Sequence, residues 1–128
     1  MFISDTHSWL WYLSSDSRLG ENAKDIFRST DDGDSTVIIP SIVVAESVYI
    51  TKDRGYTLEM EKILTDLETS SNYILRSMDY RILSKLISDD RDLSIHDKII
   101  VNTAELESAK ILSRDEKIEE QANVEVIW

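Results

Sequence analysis

The chain has no cysteine, a single proline and only three glycines among its 128 residues. Without cysteine it can form neither a disulfide nor a thiolate metal site, and a reducing environment suits it. With 41% hydrophobic residues and little proline or glycine, the composition is that of a folded globular protein rather than a disordered chain. The length corresponds to one domain, and we expect residues 1–128 to form it.

Long apolar runs and an excess of basic residues are also missing. No apolar run approaches the roughly 18 residues that a membrane span needs, and no basic region precedes an apolar one at the N-terminus. We therefore expect a cytoplasmic protein that is not in a membrane. Lys and Arg number 14 against 25 Asp and Glu, a net charge of −11. This charge argues against a broad nucleic-acid-binding surface, but it leaves open a nuclease whose acids hold cations.

Strand-like and helix-like segments alternate along the chain. The clearest strand is the β-branched run at 36–40, and further strands are predicted at 2–4, 73–75, 109–113 and 124–128. Helical spacing between them predicts helices near 6–13, 21–29, 41–50, 58–67, 79–88, 97–104 and 114–121. This alternation predicts an α/β fold with a parallel sheet and right-handed crossovers.

Some helices carry specific burial expectations. The segment 41–50 is apolar nearly all round, so we expect the fold to cover most of it. The helices predicted at 58–67 and 79–88 should each bury one apolar stripe. The expected inward residues are Met60, Ile63, Leu64 and Leu67 in the first and Ile82, Leu83, Leu86 and Ile87 in the second.

Two aspartates stand where a strand becomes a helix. Asp5 follows the apolar run 2–4, and Asp115 follows the strand predicted at 109–113. An aspartate there can be an N-cap that accepts free backbone N–H groups of the first helical turn. The same position lies at the carboxyl end of a parallel strand, where ligand-binding crevices form. Both interpretations stay open on local sequence alone.

Two further acids are unusual in their surroundings. Glu46 lies inside the apolar helix, where an ionised carboxylate is costly unless it is paired, hydrogen-bonded or bound to a metal. A salt bridge or a side chain that reaches water would also explain it. Asp97 stands in the first turn of a core-like helix, a position that the helix dipole favours in any case.

These four acids share a placement at strand ends or on a helix next to one. Because parallel strands point their carboxyl ends to one edge, the side chains can converge there despite their separation in sequence. Converging carboxylates repel one another unless cations lie between them, and oxygen-only ligands suit Mg²⁺ or Mn²⁺. Such a site supports attack of a metal-activated water on a phosphodiester.

The four acids lie in or beside five motif-like segments: DTHSWLWYL at 5–13, IPSIVVAES at 39–47, IHDKIIVNTAE at 95–105, ILSRDEKIEE at 111–120 and VEVIW at 124–128. In this order the segments resemble the motifs of PIN-domain ribonucleases, especially the VapC-like toxins of toxin–antitoxin pairs. The resemblance implies a three-layer fold with a parallel sheet of about five strands between helices. It implies a metal-dependent endoribonuclease that acts on RNA, with an antitoxin as partner and a homodimer as the assembly.

The resemblance also assigns residues. Asp5, Glu46, Asp97 and Asp115 would be the catalytic, metal-binding acids, and Thr6 and Ser113 would be supporting hydroxyls. Lys98 and Arg114 each adjoin one of these acids, so we predict that they contact RNA phosphates, although plain surface charge explains them equally well.

Other side chains receive no such assignment. His7 and His96 are interpreted as surface or loop residues, because no second well-placed histidine pairs with either. Trp9, Trp11 and Tyr12 could stack on bases, but their helical spacing is more typical of core or dimer contacts.

Competing interpretations can be weighed on the same residues. The three acids of the turn at 30–35 lack the later bidentate Glu of a calcium-binding EF-hand, so a solvated turn is the better explanation. A phosphate-accepting receiver domain would need an acidic pair after the first strand, and a haloacid-type phosphatase would need a second Asp two residues after Asp5. Asp5 is followed by Thr6 and His7, so the sequence supports neither class. A catalytically weak PIN-like domain that only binds RNA or protein remains the alternative to the nuclease.

Overall fold

The computed structural model describes residues 1–128 and contains five strands and seven helices. The strands are β1 Phe2–Ser4, β2 Val37–Pro40, β3 Tyr73–Arg76, β4 Lys110–Leu112 and β5 Val126–Ile127. The helices are α1 Thr6–Leu13, α2 Glu21–Asp31, α3 Ser41–Arg54, α4 Met60–Thr69, α5 Tyr80–Ile87, α6 Ile95–Glu107 and α7 Glu116–Gln121. Every strand and helix predicted from the sequence is present.

The five strands form one parallel sheet in the order β3-β2-β1-β4-β5. The chain proceeds outward from the central β1 to β3 and then crosses back to β4 and β5. Because crossovers between parallel strands are right-handed as a rule, connections that run in these two opposite directions put helices on both faces of the sheet. The predicted three-layer α/β fold is thereby confirmed. The order reverses between β1 and β4, and a crevice opens at such a switch point, outside the carboxyl ends of the strands.

The central strands are buried on both faces, which explains why they are continuously apolar instead of alternating. Ile3 of β1 pairs with Ile38 of β2 and Ile111 of β4, and all three side chains are fully buried. Phe27 of α2 and Trp9 of α1 pack into the same core. Among the helices, none combines the length and the apolar character that crossing a membrane requires.

Several apolar side chains that we expected inside are at the surface. Leu64, Leu83 and Ile87 are 43%, 45% and 89% exposed, so those three burial predictions are wrong. The expected cover of α3 is also incomplete, because Tyr49 is 74% exposed. Periodicity identifies the apolar side of a helix, whereas burial depends on how far the neighbouring elements extend across that side.

A buried ionic network holds the segment that leads into α6. Arg91 donates through Nε and Nη2 to both carboxylate oxygens of Asp89, at 3.0 and 2.7 Å, and through Nη1 to Glu105 Oε1 at 2.6 Å. Asn102 bridges the pair, since it accepts from Arg91 Nη2 and donates to Asp89 Oδ2. The Asp89 side chain is only 3% exposed, and the hydrogen bonds from Arg91 lower its pKa to about 2.

We expect Arg91→Met to lower the free energy of unfolding at neutral pH by about 3 kcal/mol, because it leaves the buried Asp89 carboxylate unpaired. The stabilisation by Asp89 is present above its unfolded pKa and is lost as the pH falls toward about 2. The difference between variant and wild type should therefore shrink below about pH 4. Urea unfolding at several pH values measures this.

Lys62→Met is the matched control. Lys62 pairs with Asp66 at 2.8 Å, but both side chains are more than half exposed. Its loss should change the free energy of unfolding by less than about 1 kcal/mol. Equal effects of the two substitutions would contradict the importance of burial.

Candidate active site

A cleft at the carboxyl edge of the sheet contains all four acids singled out in the sequence. It has a volume of about 470 Å³, and its 14 lining residues include only two hydrophobic ones. A larger and more apolar cavity of about 780 Å³ lies elsewhere, beside α1, α2 and α4, and contains none of the four. Because the acids converge on the smaller cleft, we take the smaller one as the candidate active site. Its walls are Asp5, Thr6, His7, Ser8, Trp11, Arg18, Glu46, Arg54, Ser94, His96, Asp97, Arg114, Asp115 and Trp128.

Asp5 is held at the switch point by hydrogen bonds to the first turn of α1 and to the end of β4. Its Oδ1 accepts a hydrogen bond from Ser8 N at 2.8 Å, so it caps α1. Its own N–H donates to the carbonyl of Leu112 at the end of β4, and so does Ser8 Oγ. Burial raises the pKa of the Asp5 carboxyl, although hydrogen bonds with Ser113 and Ser8 oppose the shift. The capping role and the placement at the crevice thus occur together.

Glu46 uses both carboxylate oxygens within the cleft. Oε1 accepts from Thr6 Oγ1 at 2.8 Å, and Oε2 lies 3.3 Å from His96 Nδ1. These contacts explain how a carboxylate is tolerated on a largely apolar helix. The contact with Thr6 fixes Glu46 relative to the first strand.

Asp97 lies in the first turn of α6, where Ser94 caps the helix by accepting from Asp97 N at 3.2 Å. Burial raises the pKa of Asp97, and the negative charges of Asp115, Asp5 and Glu46 raise it further, while a hydrogen bond with Ser94 lowers it. The other three acids therefore repel the Asp97 carboxylate across one cleft.

Asp115 caps α7 through Oδ1, which accepts from Lys117 N at 2.8 Å and from Ile118 N at 3.3 Å. Its own N–H donates to Ser113 Oγ at 3.0 Å. Ser113 is itself buried, directly after β4. Thr6 and Ser113 thus each form a hydrogen bond with one of the acids, and their supporting role stays a prediction.

The two predicted cations are placed differently. Arg114 lines the cleft with its guanidinium carbon 4.8 Å from the centre of the Trp11 ring. Lys98 does not line the cleft, and its Nζ donates to the carbonyl of Asp89 at 2.9 Å. A contact of Lys98 with a phosphate in this cleft does not fit that placement.

The donor set fits a divalent cation of the Mg²⁺ type by its chemistry. Every acid offers carboxylate oxygen, and their mutual repulsion is relieved by a positive ion. In the side-chain positions observed, no three acids or histidines are close enough to hold one ion directly. Mg²⁺ keeps several waters and commonly binds through one or two carboxylates, so ligation by some of these acids with water between the ion and the others is consistent with the cleft.

The chain matches a known protein family. A family model described as PIN domain matches residues 2–124. The chain belongs to the PIN-domain family. Among curated proteins, none matches it. The resemblance inferred from its motifs is thereby confirmed at the level of the family.

Solved structures share the fold of this PIN domain. VapC20 of Mycobacterium tuberculosis, described as a sarcin-ricin loop cleaving toxin, has a TM-score of 0.73 at 16% identity, covering 98% of both chains. A chain of a toxin–antitoxin complex from Klebsiella pneumoniae has a TM-score of 0.70 at 16% identity, covering 100% of this chain and 97% of that one. VapBC2 of Rickettsia felis, bound to a promoter DNA fragment, gives 0.66 at 13% identity, with coverage of 99% and 98%.

Sequence reasoning gave no site role to four basic side chains that line the cleft, namely His7, Arg18, Arg54 and His96. His96 contacts Glu46 rather than standing alone, and Arg18 and Arg54 line the walls. The position of His96 beside Asp97 was a signal, since both lie in the same first helical turn. Nothing local marks Arg18 or Arg54, because a loop and the far end of α3 reach the cleft only through tertiary packing.

We expect Asp97→Asn to raise the midpoint temperature of unfolding at neutral pH in metal-free buffer. The raised pKa of Asp97 means that its ionisation opposes folding, so wild-type stability should fall as the pH rises through the unfolded and then the folded pKa. Asparagine removes this charge, and the gain should disappear once the wild-type carboxyl is protonated at low pH. Thermal unfolding between pH 3 and 7, about the range of these carboxyl pKa values, measures it.

Asp25→Asn serves as the control, since Asp25 is an exposed carboxylate in the middle of α2. It should show little stabilisation. A destabilised Asp97→Asn protein at neutral pH would contradict the inferred repulsion.

Proposed function

We propose that this PIN domain is a metal-dependent endoribonuclease that hydrolyses RNA phosphodiester bonds and acts as the toxin of a toxin–antitoxin pair in the cytoplasm. The observation that carries the proposal is the convergence of Asp5, Glu46, Asp97 and Asp115 on one cleft at the switch point of a PIN fold. The similarity to VapC20, described as a toxin that cleaves the sarcin-ricin loop, supports the choice of RNA as substrate.

In this proposal the four acids hold Mg²⁺ or Mn²⁺. A divalent ion bound there would activate a water molecule and stabilise the leaving oxygen of the phosphodiester. Thr6 holds the Glu46 carboxylate by its hydrogen bond, and Ser113 Oγ accepts a hydrogen bond from the backbone N–H of Asp115 and so orients that residue. Arg114, which forms no ion pair in the structure, binds a phosphate oxygen of the RNA. Single-stranded or looped RNA is the expected form, because unstacked bases are accessible there.

Cleavage of a mixed-sequence RNA tests the proposal. Purified protein should cut it with Mg²⁺ or Mn²⁺ and not with EDTA. Asp97→Asn should lower the rate by about a hundredfold or more, since loss of a metal-holding acid weakens both ion binding and transition-state stabilisation. Asp25→Asn should cleave like the wild type.

Metal binding can be followed without activity. Mg²⁺ should raise the unfolding temperature of the wild type more than that of Asp97→Asn, because only the folded site binds the ion. Folded protein that is stabilised by metal but cleaves no RNA would contradict the nuclease and favour a PIN domain that only binds RNA or protein.

An antitoxin is the proposed protein partner. The similarity to a chain described as part of a toxin–antitoxin complex supports it, and a net charge of −11 favours a basic partner surface. Covering the cleft would explain how such a partner blocks activity. The product of a neighbouring small gene can be added to the same cleavage assay, and failure to bind or inhibit would count against it.

A homodimer is the proposed assembly, and the outer face of α5 is the surface that supports it. Tyr80, Leu83 and Ile87 lie on one side of this helix and are 83%, 45% and 89% exposed. An exposed apolar stripe of this kind is typical of an interaction site.

We expect Ile87→Glu to convert a dimer into monomers, because a buried unpaired charge is costly at an interface. Sedimentation velocity of both proteins measures the change. Thr65→Glu adds the same charge to an exposed position on α4 and should leave the dimer intact. A wild-type chain that stays monomeric at high concentration would contradict the assembly.

A further inference from the structure

Three arginines and no lysine line the cleft of this otherwise strongly acidic chain. They come from three places: Arg18 from the loop between α1 and α2, Arg54 from the last turn of α3, and Arg114 from the loop after β4. A substrate with a phosphate backbone is repelled by the chain as a whole. Local cations beside the acids are therefore needed to bring it to the cleft.

Two of these arginines share one aromatic platform. The guanidinium carbons of Arg18 and Arg114 each lie 4.8 Å from the centre of the Trp11 ring. The two charges are thus separated by no more than twice that distance. Trp11 is almost fully buried, in contact with Trp128 and His7, so the platform is fixed by the core. An indole face holds a guanidinium while leaving its N–H edges free for hydrogen bonds.

The arginines differ in how much of their charge is available. Arg18 donates from Nε and Nη2 to the two oxygens of Asp16, at 3.0 and 2.7 Å, so a carboxylate already offsets it. Neither Arg54 nor Arg114 forms any ion pair in the structure. Arg54 and Arg114 are also exposed. They are the two cations of the cleft that are free to bind a ligand.

Arg54 reaches the cleft from the C-terminal end of α3, the helix that also carries Glu46. Arg54 itself lines the same cleft as Arg18, Trp11 and Arg114. The three arginines and Trp11 therefore belong to one cleft, and Arg114 directly precedes Asp115.

We propose that Arg18, Arg54 and Arg114, with Trp11 as their platform, form one strip that binds successive phosphates of single-stranded RNA next to the carboxylates. This inference rests on the proposed ribonuclease function and adds to it the path of the substrate. The planar fork of arginine matches phosphate oxygens, and a cationic groove with aromatic side chains is how single strands are bound without sequence preference. Trp11 is a positioning residue for Arg114 and Arg18 in this arrangement.

Binding of a fluorescent mixed-sequence single-stranded RNA tests the strip. All variants carry Asp97→Asn to prevent cleavage, and anisotropy is measured from about 50 to 200 mM NaCl. Arg54→Gln and Arg114→Gln should each weaken binding about three- to tenfold at low salt and reduce the salt slope by about 0.7, the value for one lost phosphate contact with a single strand. Arg18→Gln should have a smaller effect, because Asp16 offsets its charge.

The control is Arg81→Gln, which removes an exposed arginine of α5 outside the cleft. It should leave affinity and slope unchanged. If Arg54→Gln behaves like Arg81→Gln while the parent protein binds RNA with a clear salt dependence, the strip is overturned and the ribonuclease proposal stands. If the parent protein does not bind RNA and the protein with Asp97 intact does not cleave it, both proposals fail.

Competition with polyglutamate tests whether the arginine strip binds RNA or an acidic peptide. We expect it to displace RNA only poorly, because carboxylates of a flexible peptide do not match a strip that leads to a phosphodiester-hydrolysing site. Displacement at an equal concentration of charge would overturn the assignment to RNA.

A double-mutant cycle with Arg114 tests whether Trp11 acts by positioning that arginine. Trp11→Leu should lower RNA affinity in the presence of Arg114 but have much less effect once Arg114→Gln is present, whereas Trp11→Phe should retain most of the binding. Thermal unfolding shows that each variant is folded at the temperature used. Additive effects of Trp11→Leu and Arg114→Gln would overturn the platform role.

Discussion

Three helix N-termini hold carboxylates in place against their mutual repulsion, and the candidate site depends on this. Asp5 and Asp115 each accept hydrogen bonds from the first turn of the helix that follows, and Asp97 lies in the capped first turn of α6. Backbone N–H groups and the helix dipole favour the negative charge that the neighbouring acids disfavour. The parallel sheet brings these helix starts to one edge. Carboxylates that would otherwise stay apart are thereby held close together in one cleft.

The caps also make structural and chemical roles inseparable at these positions. An acid that caps a helix is positioned by that helix, so its oxygen is placed as accurately as the backbone itself. Asparagine accepts the same capping hydrogen bond as aspartate, but it carries no charge. Exchange of one for the other therefore changes the electrostatics of the cleft while the local fold keeps its support. Glu46 differs, because side chains hold it and no backbone group does.

The basic residues of this acidic chain divide into two groups with different tasks. Arg91 is enclosed by Asp89, Glu105 and Asn102, and it secures the segment that leads to Asp97. Arg54 and Arg114 form no ion pair and lie on the wall of the cleft. An arginine held on several sides by carboxylates stabilises structure, whereas one with free N–H edges can bind a ligand. The same residue type thus serves the fold in one place, and substrate binding is its proposed task in the other.

The sequence by itself determined the elements and the helix starts. Strand-to-helix changes at Asp5 and Asp115 are local, and so is the conflict between Glu46 and its apolar neighbours, so periodicity and capping preferences are enough to find them. Only the tertiary structure decided which side chains meet. His96 contacts Glu46, and the Lys98 ammonium donates to the carbonyl of Asp89 instead of lining the cleft. Arg18 and Arg54 line the cleft, and Ile87 is exposed. Each of these placements depends on how far packed elements extend. A local pattern specifies which way a side chain faces along its own element, whereas its partners come from distant parts of the chain that only packing brings together.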